Sequence, residues 1–257
     1  MKSLAFFNGK GGVGKSLHTT MCASYLAYHE GARVALVELE NPSPRIFRNR
    51  NDELALLEKE DSWLSRYRAN HPEGWPAAYY DIFPWGDGVQ AYSPEYLREV
   101  EDKAWDLVEG KYGEFDYVLF DFPAVFIEQS PAFKLISSNI VDLVAIPFDV
   151  DAATRKEAVI DGDILVKNGH SAVAFWNDVS LDDIKRPGFL DGGEDVFRRY
   201  GIEVLPQRIK SFVKAKRESD ERLFVKSTVC WPQRYVEMAC PRVIDLYREL
   251  KGRLDRI

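Results

Sequence analysis

Residues 8–20 read NGKGGVGKSLHTT and contain the pattern G-x-x-x-x-G-K-S, which runs from Gly9 to Ser16. This pattern is typical of a phosphate-binding loop, in which glycines let the backbone turn so that successive N–H groups point at phosphate oxygens. In such a loop, Lys15 contacts the β- and γ-phosphates and the Ser16 hydroxyl binds Mg²⁺. We therefore predict an ATP site that includes Lys10, Gly11, Gly12, Val13, Gly14, Lys15, Ser16 and Leu17.

The segments around this loop predict the fold. Short apolar runs alternate with helical patterns, as they do in a parallel sheet with crossover helices. The loop follows the first run and opens a helix, which is the context that the motif requires. We predict an α/β fold with a doubly wound, mostly parallel sheet and helices on both faces. The predicted strands are Leu4–Phe7, Val34–Val37, Tyr117–Phe120, Val141–Ile146, Ala172–Phe175 and Ile202–Leu205.

The chain length fits one large domain, and we expect a single domain over all 257 residues. Residues 43–96 do not follow the strand–helix pattern and are rich in tryptophan and tyrosine, so they are not expected to be disordered. We interpret them as an insertion or cap packed on the sheet. A dedicated partner-binding face is the alternative.

Composition excludes several classes of protein. The formal net charge of −7 argues against a protein that coats nucleic acid by bulk charge. The three cysteines form no C-x-x-C pair, which disfavours a zinc or iron–sulfur site within the chain. The first residues lack the apolar length of a signal peptide, and no apolar run approaches the roughly 18 residues of a membrane span. We expect a cytoplasmic protein without stable membrane insertion, and leave nucleoid association open.

Lys10 is a second lysine in a loop that already has Lys15. The sequence KGGVGKS around it resembles the deviant Walker A motif of the ParA/MinD ATPases, with Lys10 at the position of their signature lysine. The resemblance implies ATP and Mg²⁺ as cofactors, and a homodimer that forms around two ATP molecules. It also implies that Lys10 crosses the dimer interface to the partner's nucleotide, where it acts in catalysis together with Lys15. A simple P-loop kinase with a chance lysine is the alternative.

The resemblance extends over roughly 1–42 and 97–225. RVALVELENPSP resembles the family's second strand and switch I, although Glu38 and Glu40 stand where aspartates are usual. A glutamate carboxylate lies about 1.5 Å farther out. Glu40 therefore orients the attacking water, does so poorly, or holds Mg²⁺ through water. EFDYVLFDFPA resembles the family's Walker B strand, which ends in Asp121. The resemblance implies that Asp121, Ser16 and Glu40 together hold the metal ion.

Two further segments carry weaker signals. The resemblance implies that Asn177, Pro206 and Arg208 contact adenine, although Asn177 is equally compatible with a turn. A basic stretch suggests non-specific DNA binding, with an ordinary solvated helix face as the alternative. Its residues are Lys210, Lys214, Lys216 and Arg217. We expect residues 242–257 to form a closing helix docked on the core rather than a membrane-targeting helix, and His18 to be packed or solvated rather than catalytic.

We interpret the sequence as a ParA/MinD-like ATPase that hydrolyses ATP slowly and positions or partitions cargo, either plasmid or chromosome DNA or a conjugation complex. A separate adaptor protein is the expected partner. Two alternatives remain: a P-loop synthetase or kinase acting on a small acceptor, and an ATP-locked binding switch with little hydrolysis.

Overall fold

The structure is a computed structural model that describes residues 1–40, 43–70, 72, 75–89, 92–125, 129–180, 189–210, 227–231, 236 and 242–257. Its centre is a seven-stranded sheet in the order β3-β2-β4-β1-β5-β6-β7, in which all neighbouring strands run parallel. The strands are Lys2–Phe6 (β1), Val34–Glu38 (β2), Asp81–Phe83 (β3), Tyr117–Asp121 (β4), Leu143–Phe148 (β5), Ala172–Val179 (β6) and Glu203–Lys210 (β7).

Helices cover both faces of the sheet. Those that the structure describes are Lys15–Ser24 (α1), Arg45–Leu57 (α2), Trp63–Asn70 (α3), Pro94–Val108 (α4), Pro131–Ser137 (α5), Ala152–Lys167 (α6), Phe189–Arg199 (α7) and Val243–Leu254 (α8). Helix α1 continues into a π-helical turn at Tyr25–His29. No described helix is long and apolar enough to cross a membrane.

The alternation of side chains along the strands divides the core into two layers. Leu4 and Phe6 point to one layer with α1, α2 and α8, whereas Ala5 and Phe7 point to the other with α4, α5, α6 and α7. Strands buried on both faces explain why the strand sequences read as continuous apolar runs. The predicted doubly wound α/β fold is confirmed, and α8 packs on the core through its apolar stripe.

Residues 43–96 contribute more than helices lying on the sheet. The three residues of β3 pair in parallel with β2, from Ala35 opposite Asp81 to Val37 opposite Phe83, and extend the sheet by one edge strand. The sequence did not predict this strand, because three residues between aromatic and proline-rich stretches show no measurable periodicity. A small separate cluster around Leu64 and Val229 lies beneath α3.

The register of the central strands brings the nucleotide-loop region and the acidic residues together. Strand β4 lies between β1 and β2, so Phe6 and Glu38 both pair with Asp121. The loop after β1, the end of β2 and the end of β4 therefore lie at the same carboxyl edge of the sheet. In doubly wound sheets, ligands bind at this edge, beside the strand where the connections change direction.

Candidate nucleotide site

The loop of residues 9–14 connects β1 to α1 with two left-handed residues. Gly12 has φ = 83° and Gly14 has φ = 91°, conformations that disfavour side chains. Gly11 differs, because its φ is not left-handed and a Cβ there would meet nothing within 4 Å. Neither strain nor packing within the described chain requires a glycine at position 11. A ligand approaching the backbone, as phosphates do in such loops, would require one.

Lys15 begins α1 and points its ammonium group inward. The residue is 7% exposed, and Nζ donates a hydrogen bond to the carbonyl of Lys10 at 2.9 Å. Burial lowers the pKa of Lys15, while the negative charges of Asp121, Glu40 and Asp161 oppose that shift. The lysine thus lies in a negatively charged surrounding, at the position that the motif assigns to phosphate binding.

Three carboxylates meet beside Lys15. Oxygens of Glu38, Glu40 and Asp121 lie within 4.8 Å of one another. Asp121 is fully buried, and burial is the main reason that its pKa rises to about 7; a hydrogen bond from Ser16 opposes the rise. Within the described residues, Asp121 Oδ2 and Glu40 Oε2 are buried and have no hydrogen-bond partner. Buried carboxylate oxygens of this kind, beside a serine hydroxyl, fit a hard divalent cation such as Mg²⁺.

The two glutamates differ in what else they bind. Glu38 accepts hydrogen bonds from the backbone N–H groups of Ile46 at 2.8 Å and Phe47 at 2.9 Å, one with each oxygen. Its carboxylate therefore caps the first turn of α2, although burial still raises its pKa. Glu40 forms an ion pair with Arg45, whose side chain is 76% exposed. Of the two, Glu40 is the glutamate left available to a metal or water.

Lys10 lies outside this group of charges. Its Nζ is 2.7 Å from Asp151 Oδ1, and the two side chains are 39% and 56% exposed. Asp151 also caps α6 by accepting from the Thr154 N–H at 3.0 Å. The Lys10 hydrogen bond is the main reason that the pKa of Asp151 falls to about 2. In the single chain, Lys10 is thus bound to its own subunit, close to the surface.

Comparison with solved structures identifies the fold that carries this arrangement of loop and carboxylates. The chain matches a ParA-family ATPase from Chlorobium tepidum (17% identity, 97% of this chain and 98% of that chain, TM-score 0.61). It also matches apo McdA from Cyanothece (15%, 97% and 98%, 0.63) and MinD with Mg-ADP from Pyrococcus horikoshii (17%, 97% and 95%, 0.57). The fold is that of the ParA/MinD-type P-loop ATPases. No protein-family model matches the chain, and no curated protein sequence does.

The residues predicted to contact adenine lie on strands β6 and β7. Asn177 is 5% exposed near the end of β6, where its Nδ2 donates to the carbonyl of Val13 at 2.9 Å. Pro206 is exposed on β7, and Arg208 on the same strand pairs with Glu194 of α7 at 3.2 Å. Asn177 thus lies against the loop, whereas Arg208 is directed toward α7.

The predicted DNA-binding residues are only partly described. Lys210 ends β7 and is half-buried. The other three, Lys214, Lys216 and Arg217, lie outside the described residues. The basic surface therefore remains a prediction.

Sequence reasoning missed two residues that support the site, Asp161 and Thr19, and the hydrogen bonds of a third, His18. Asp161 of α6 accepts from the Gly9 N–H at 2.7 Å, and Thr19 bonds Asp121 Oδ1 at 3.4 Å. His18 is packed, as one of the two expected outcomes, but it also contributes hydrogen bonds on both ring nitrogens. Only Thr19 had a usable signal, since it lies one helical turn after Lys15 and faces the same strand. The partners of Asp161 and His18 are more than 150 residues away in sequence.

Proposed function

We propose that this protein binds MgATP at the loop of residues 9–16 and hydrolyses it slowly as a homodimer, using the cycle to position cargo. The observation that carries the proposal is the group formed by Lys15, Ser16, Asp121 and Glu40, with two buried carboxylate oxygens that lack a partner among the described residues. The similar MinD structure is a complex with Mg-ADP, which supports the choice of ligand, and the ParA-family ATPase supports the choice of reaction.

Each residue has a definite part in this proposal. The loop N–H groups and Lys15 bind the phosphates, and Ser16 and Asp121 would hold Mg²⁺, which neutralises phosphate charge when bound. Glu40 accepts a hydrogen bond from the attacking water or from a water on the metal. Its Oε2, which has no hydrogen-bond partner among the described residues, is the oxygen for this role, while Oε1 pairs with Arg45.

The dimer gives Lys10 its role in the proposal. Lys10 leaves Asp151 and reaches the nucleotide of the partner subunit, where its ammonium stabilises charge that develops during phosphoryl transfer. The pair that it leaves is exposed, so the exchange requires little free energy. A separate adaptor protein, and non-specific DNA bound through Lys210 and its neighbours, are the proposed partners in a cytoplasmic setting.

The first experiment is the affinity of the Lys15→Ala variant for MgATP, measured by calorimetry. Removing the buried ammonium from the phosphates is expected to lower the affinity about 100-fold or more. Lys167→Ala is the matched control, since its side chain is 71% exposed on α6 and pairs only with Asp163 among the described contacts. Equal affinities for the two folded variants would remove the loop from its proposed role.

Phosphate release separates the proposed function from its alternatives. A slow ATPase releases phosphate from MgATP without an acceptor molecule. An ATP-locked switch would bind MgATP and dimerise but release almost none. A kinase or synthetase would consume ATP only after a small acceptor is added. Measuring release with and without duplex DNA also tests DNA as a partner.

A further inference from the structure

Buried side chains from outside the nucleotide loop hold its first two residues. The Gly9 N–H donates to Asp161 Oδ2 of α6 at 2.7 Å. The Lys10 N–H donates to Asn8 Oδ1 at 2.8 Å. Asn8 is itself fixed, because its Nδ2 donates to the carbonyl of Pro147 in β5 at 2.9 Å. Asn8 is fully buried and Asp161 is 2% exposed. We call the side chains of Asn8 and Asp161 the clamp.

The N–H groups farther along the loop differ from those of Gly9 and Lys10. Those of residues 11–14 have no hydrogen-bond acceptor among the described residues. Unpaired backbone N–H groups are the part of such a loop that binds phosphate oxygens. Each backbone N–H has a single hydrogen, and the clamp already binds those of Gly9 and Lys10. The first two loop residues therefore contribute no N–H group to a phosphate.

The clamp matters most for Lys10, whose other two contacts are temporary in the proposed function. The Lys10 carbonyl accepts from Lys15 Nζ at 2.9 Å, but phosphates would draw this ammonium away. The Lys10 Nζ pairs with Asp151 near the surface, and it leaves this partner when the dimer forms. The hydrogen bonds of the clamp need not change in either step. They can hold the Lys10 backbone throughout.

The clamp connects the loop to a closely packed part of the core. A Cβ on Gly9 would be 2.8 Å from Glu157 Oε1 and 3.3 Å from Asp161 Oδ2, so glycine lets the loop backbone lie directly against α6. Helix α6 in turn lies close to the next layer, since a Cβ on Gly162 would be 2.5 Å from Ile202 Cδ1. The start of the loop is thus attached to a helix that has little room to move.

We propose that Asn8 and Asp161 are positioning residues that fix the backbone of Lys10, so that its side chain reaches the nucleotide of the partner subunit. The inference rests on the proposed function. Lysine carries its ammonium on a flexible four-carbon stem, so its reach across an interface is accurate only if its Cα is held. A misplacement of about 1 Å at a reacting group can slow a reaction about 100-fold. The clamp provides the fixed point from which the side chain moves from Asp151 to the partner.

The test compares two substitutions of Asp161 in the full chain. Both Asp161→Ala and Asp161→Asn remove a negative charge near Lys15, but only asparagine keeps an acceptor for the Gly9 N–H. We expect the two variants to bind MgATP within about threefold of each other in calorimetry. At saturating MgATP, Asp161→Ala should release phosphate about 10- to 100-fold more slowly than Asp161→Asn. Equal rates of phosphate release would overturn the inference.

Two further variants protect this comparison. Val159→Ala removes buried volume from α6 without touching the clamp, so it should lower stability and leave phosphate release unchanged. A merely structural role for Asp161 would predict the same result for Asp161→Ala. Asn8→Ala removes the acceptor for the Lys10 N–H and leaves the charge of Asp161 in place. If Asp161→Ala does not fold, Asn8→Ala should show the slow release with retained MgATP affinity, and wild-type release would overturn the inference.

A mixed dimer shows which nucleotide the clamp serves. In a dimer of Asp161→Ala with Glu40→Gln, the first chain keeps its own Glu40 and faces a Lys10 whose clamp is intact. That site should regain activity. A mixed dimer that forms in sedimentation with MgATP but stays as slow as Asp161→Ala alone would place the effect at the chain's own nucleotide and overturn the inference.

The variant Lys10→Ala separates this inference from the proposed function. If Lys10→Ala releases phosphate at the wild-type rate, the proposed role of Lys10 fails and the inference fails with it. If Lys10→Ala is inactive while the folded clamp variants keep the wild-type rate, the inference alone fails.

Amide hydrogen exchange tests the clamp without turnover. In the nucleotide-free protein, the amide hydrogens of Gly9 and Lys10 should exchange at least about tenfold more slowly than those of residues 11–12, because a hydrogen-bonded amide exchanges only after it opens. MgATP should slow exchange at residues 11–14 and leave Gly9 and Lys10 protected. Asp161→Ala should speed exchange at Gly9. Uniform exchange over residues 9–12 in the wild type would overturn the inference.

Discussion

At the scale of single residues, the glutamates at 38 and 40 show how the position of a side chain decides the use of its carboxylate. Glu38 reaches past the sheet edge to the N–H groups that begin α2, whereas Glu40 remains beside Asp121 with one oxygen unpaired among the described residues. Their proximity to Asp121 could be predicted, because parallel strands end at one edge of the sheet. The commitment of Glu38 to α2 could not, because it depends on where that helix begins.

This difference predicts opposite outcomes for two conservative variants. Glu40→Gln should bind MgATP nearly as well as the wild type but release phosphate at least about tenfold more slowly, because an amide is a poor acceptor for the water. Glu38→Gln should instead lose about 1–3 kcal/mol of stability, because an NH₂ group then faces a backbone N–H. Phosphate-release kinetics and urea unfolding of both variants measure the two effects. If Glu38→Gln slows phosphate release and Glu40→Gln does not, Glu38 and not Glu40 is the catalytic glutamate.

Asp161 predicts how stability depends on pH. Mainly because of burial, its pKa rises from 3.8 to about 6. Between about pH 4 and 6, the native state therefore holds more protons than the unfolded state, so stability falls as the pH rises through this window. The loss approaches about 3 kcal/mol above pH 6. Asp161→Asn keeps an acceptor for the Gly9 N–H and should flatten the dependence. Urea unfolding from pH 4.5 to 8 gives the stability of the wild type and of Asp161→Asn at each pH. Parallel curves of stability against pH would show that Asp161 does not cause the dependence.

At the scale of elements, α2 is anchored both at its start and along its length. After the Glu38 cap, Arg50 donates to the Thr228 hydroxyl at 2.9 Å and to the Thr228 carbonyl at 2.6 Å. Glu53 accepts from the Thr228 N–H at 2.8 Å and from its hydroxyl. Arg50 also lies over the rings of Tyr79 and Tyr80. Helix α2 thereby ties the acidic edge of the site to residues 227–231.

Thr228 provides the test of this anchor. Thr228→Val has nearly the same shape but no hydroxyl, so Arg50 and Glu53 each lose a buried partner. We expect a loss of about 2–6 kcal/mol in the free energy of unfolding, given about 1–3 kcal/mol for each of the two unsatisfied groups. Thr228→Ser keeps the hydroxyl and should lose less than half as much. If Thr228→Val and Thr228→Ser lose the same free energy of unfolding in chemical denaturation, the effect comes from packing and not from the hydroxyl.

Prediction from sequence succeeded for elements whose pattern is local and failed where partners are distant. Six apolar runs became six strands, because a strand buried on both faces must be apolar along its whole length, although the edge strand β7 is only partly buried. Strand β3 is too short to show an alternation of apolar and polar residues. It forms because it pairs with the edge of β2. The anchor of α2 joins residues up to 178 positions apart. No local pattern reports such a contact, so Arg50 and Glu53 read only as charged helical residues.

At the scale of the whole molecule, the proposed function gives Lys10 a role that depends on a second copy of the chain. The Lys10 carbonyl accepts a hydrogen bond from Lys15, but the Lys10 side chain pairs with Asp151 near the surface and lies apart from the carboxylates beside Lys15. Lys10→Ala should therefore change monomer stability by less than about 1 kcal/mol and leave MgATP binding nearly intact. ATP-dependent dimerisation and hydrolysis should both be lost. Asp151→Asn is the control, since asparagine can still cap α6 while Lys10 is released, and this variant should dimerise at least as well as the wild type.

Mixed dimers distinguish action across the interface from action within one chain. In a dimer of Lys10→Ala with Glu40→Gln, the nucleotide of the first chain faces the intact Lys10 of the second, while its own Glu40 is unchanged. One of the two sites is then complete. Charge supplied in trans during phosphoryl transfer can accelerate the reaction by on the order of 10³ or more, so a single restored site should be visible against two parents whose turnover is reduced or lost. Sedimentation with MgATP establishes that the mixed dimer forms, and phosphate release then measures its activity. A mixed dimer that forms but stays inactive would place Lys10 at the nucleotide of its own subunit, and Lys10 would then have to leave Asp151 without crossing the interface.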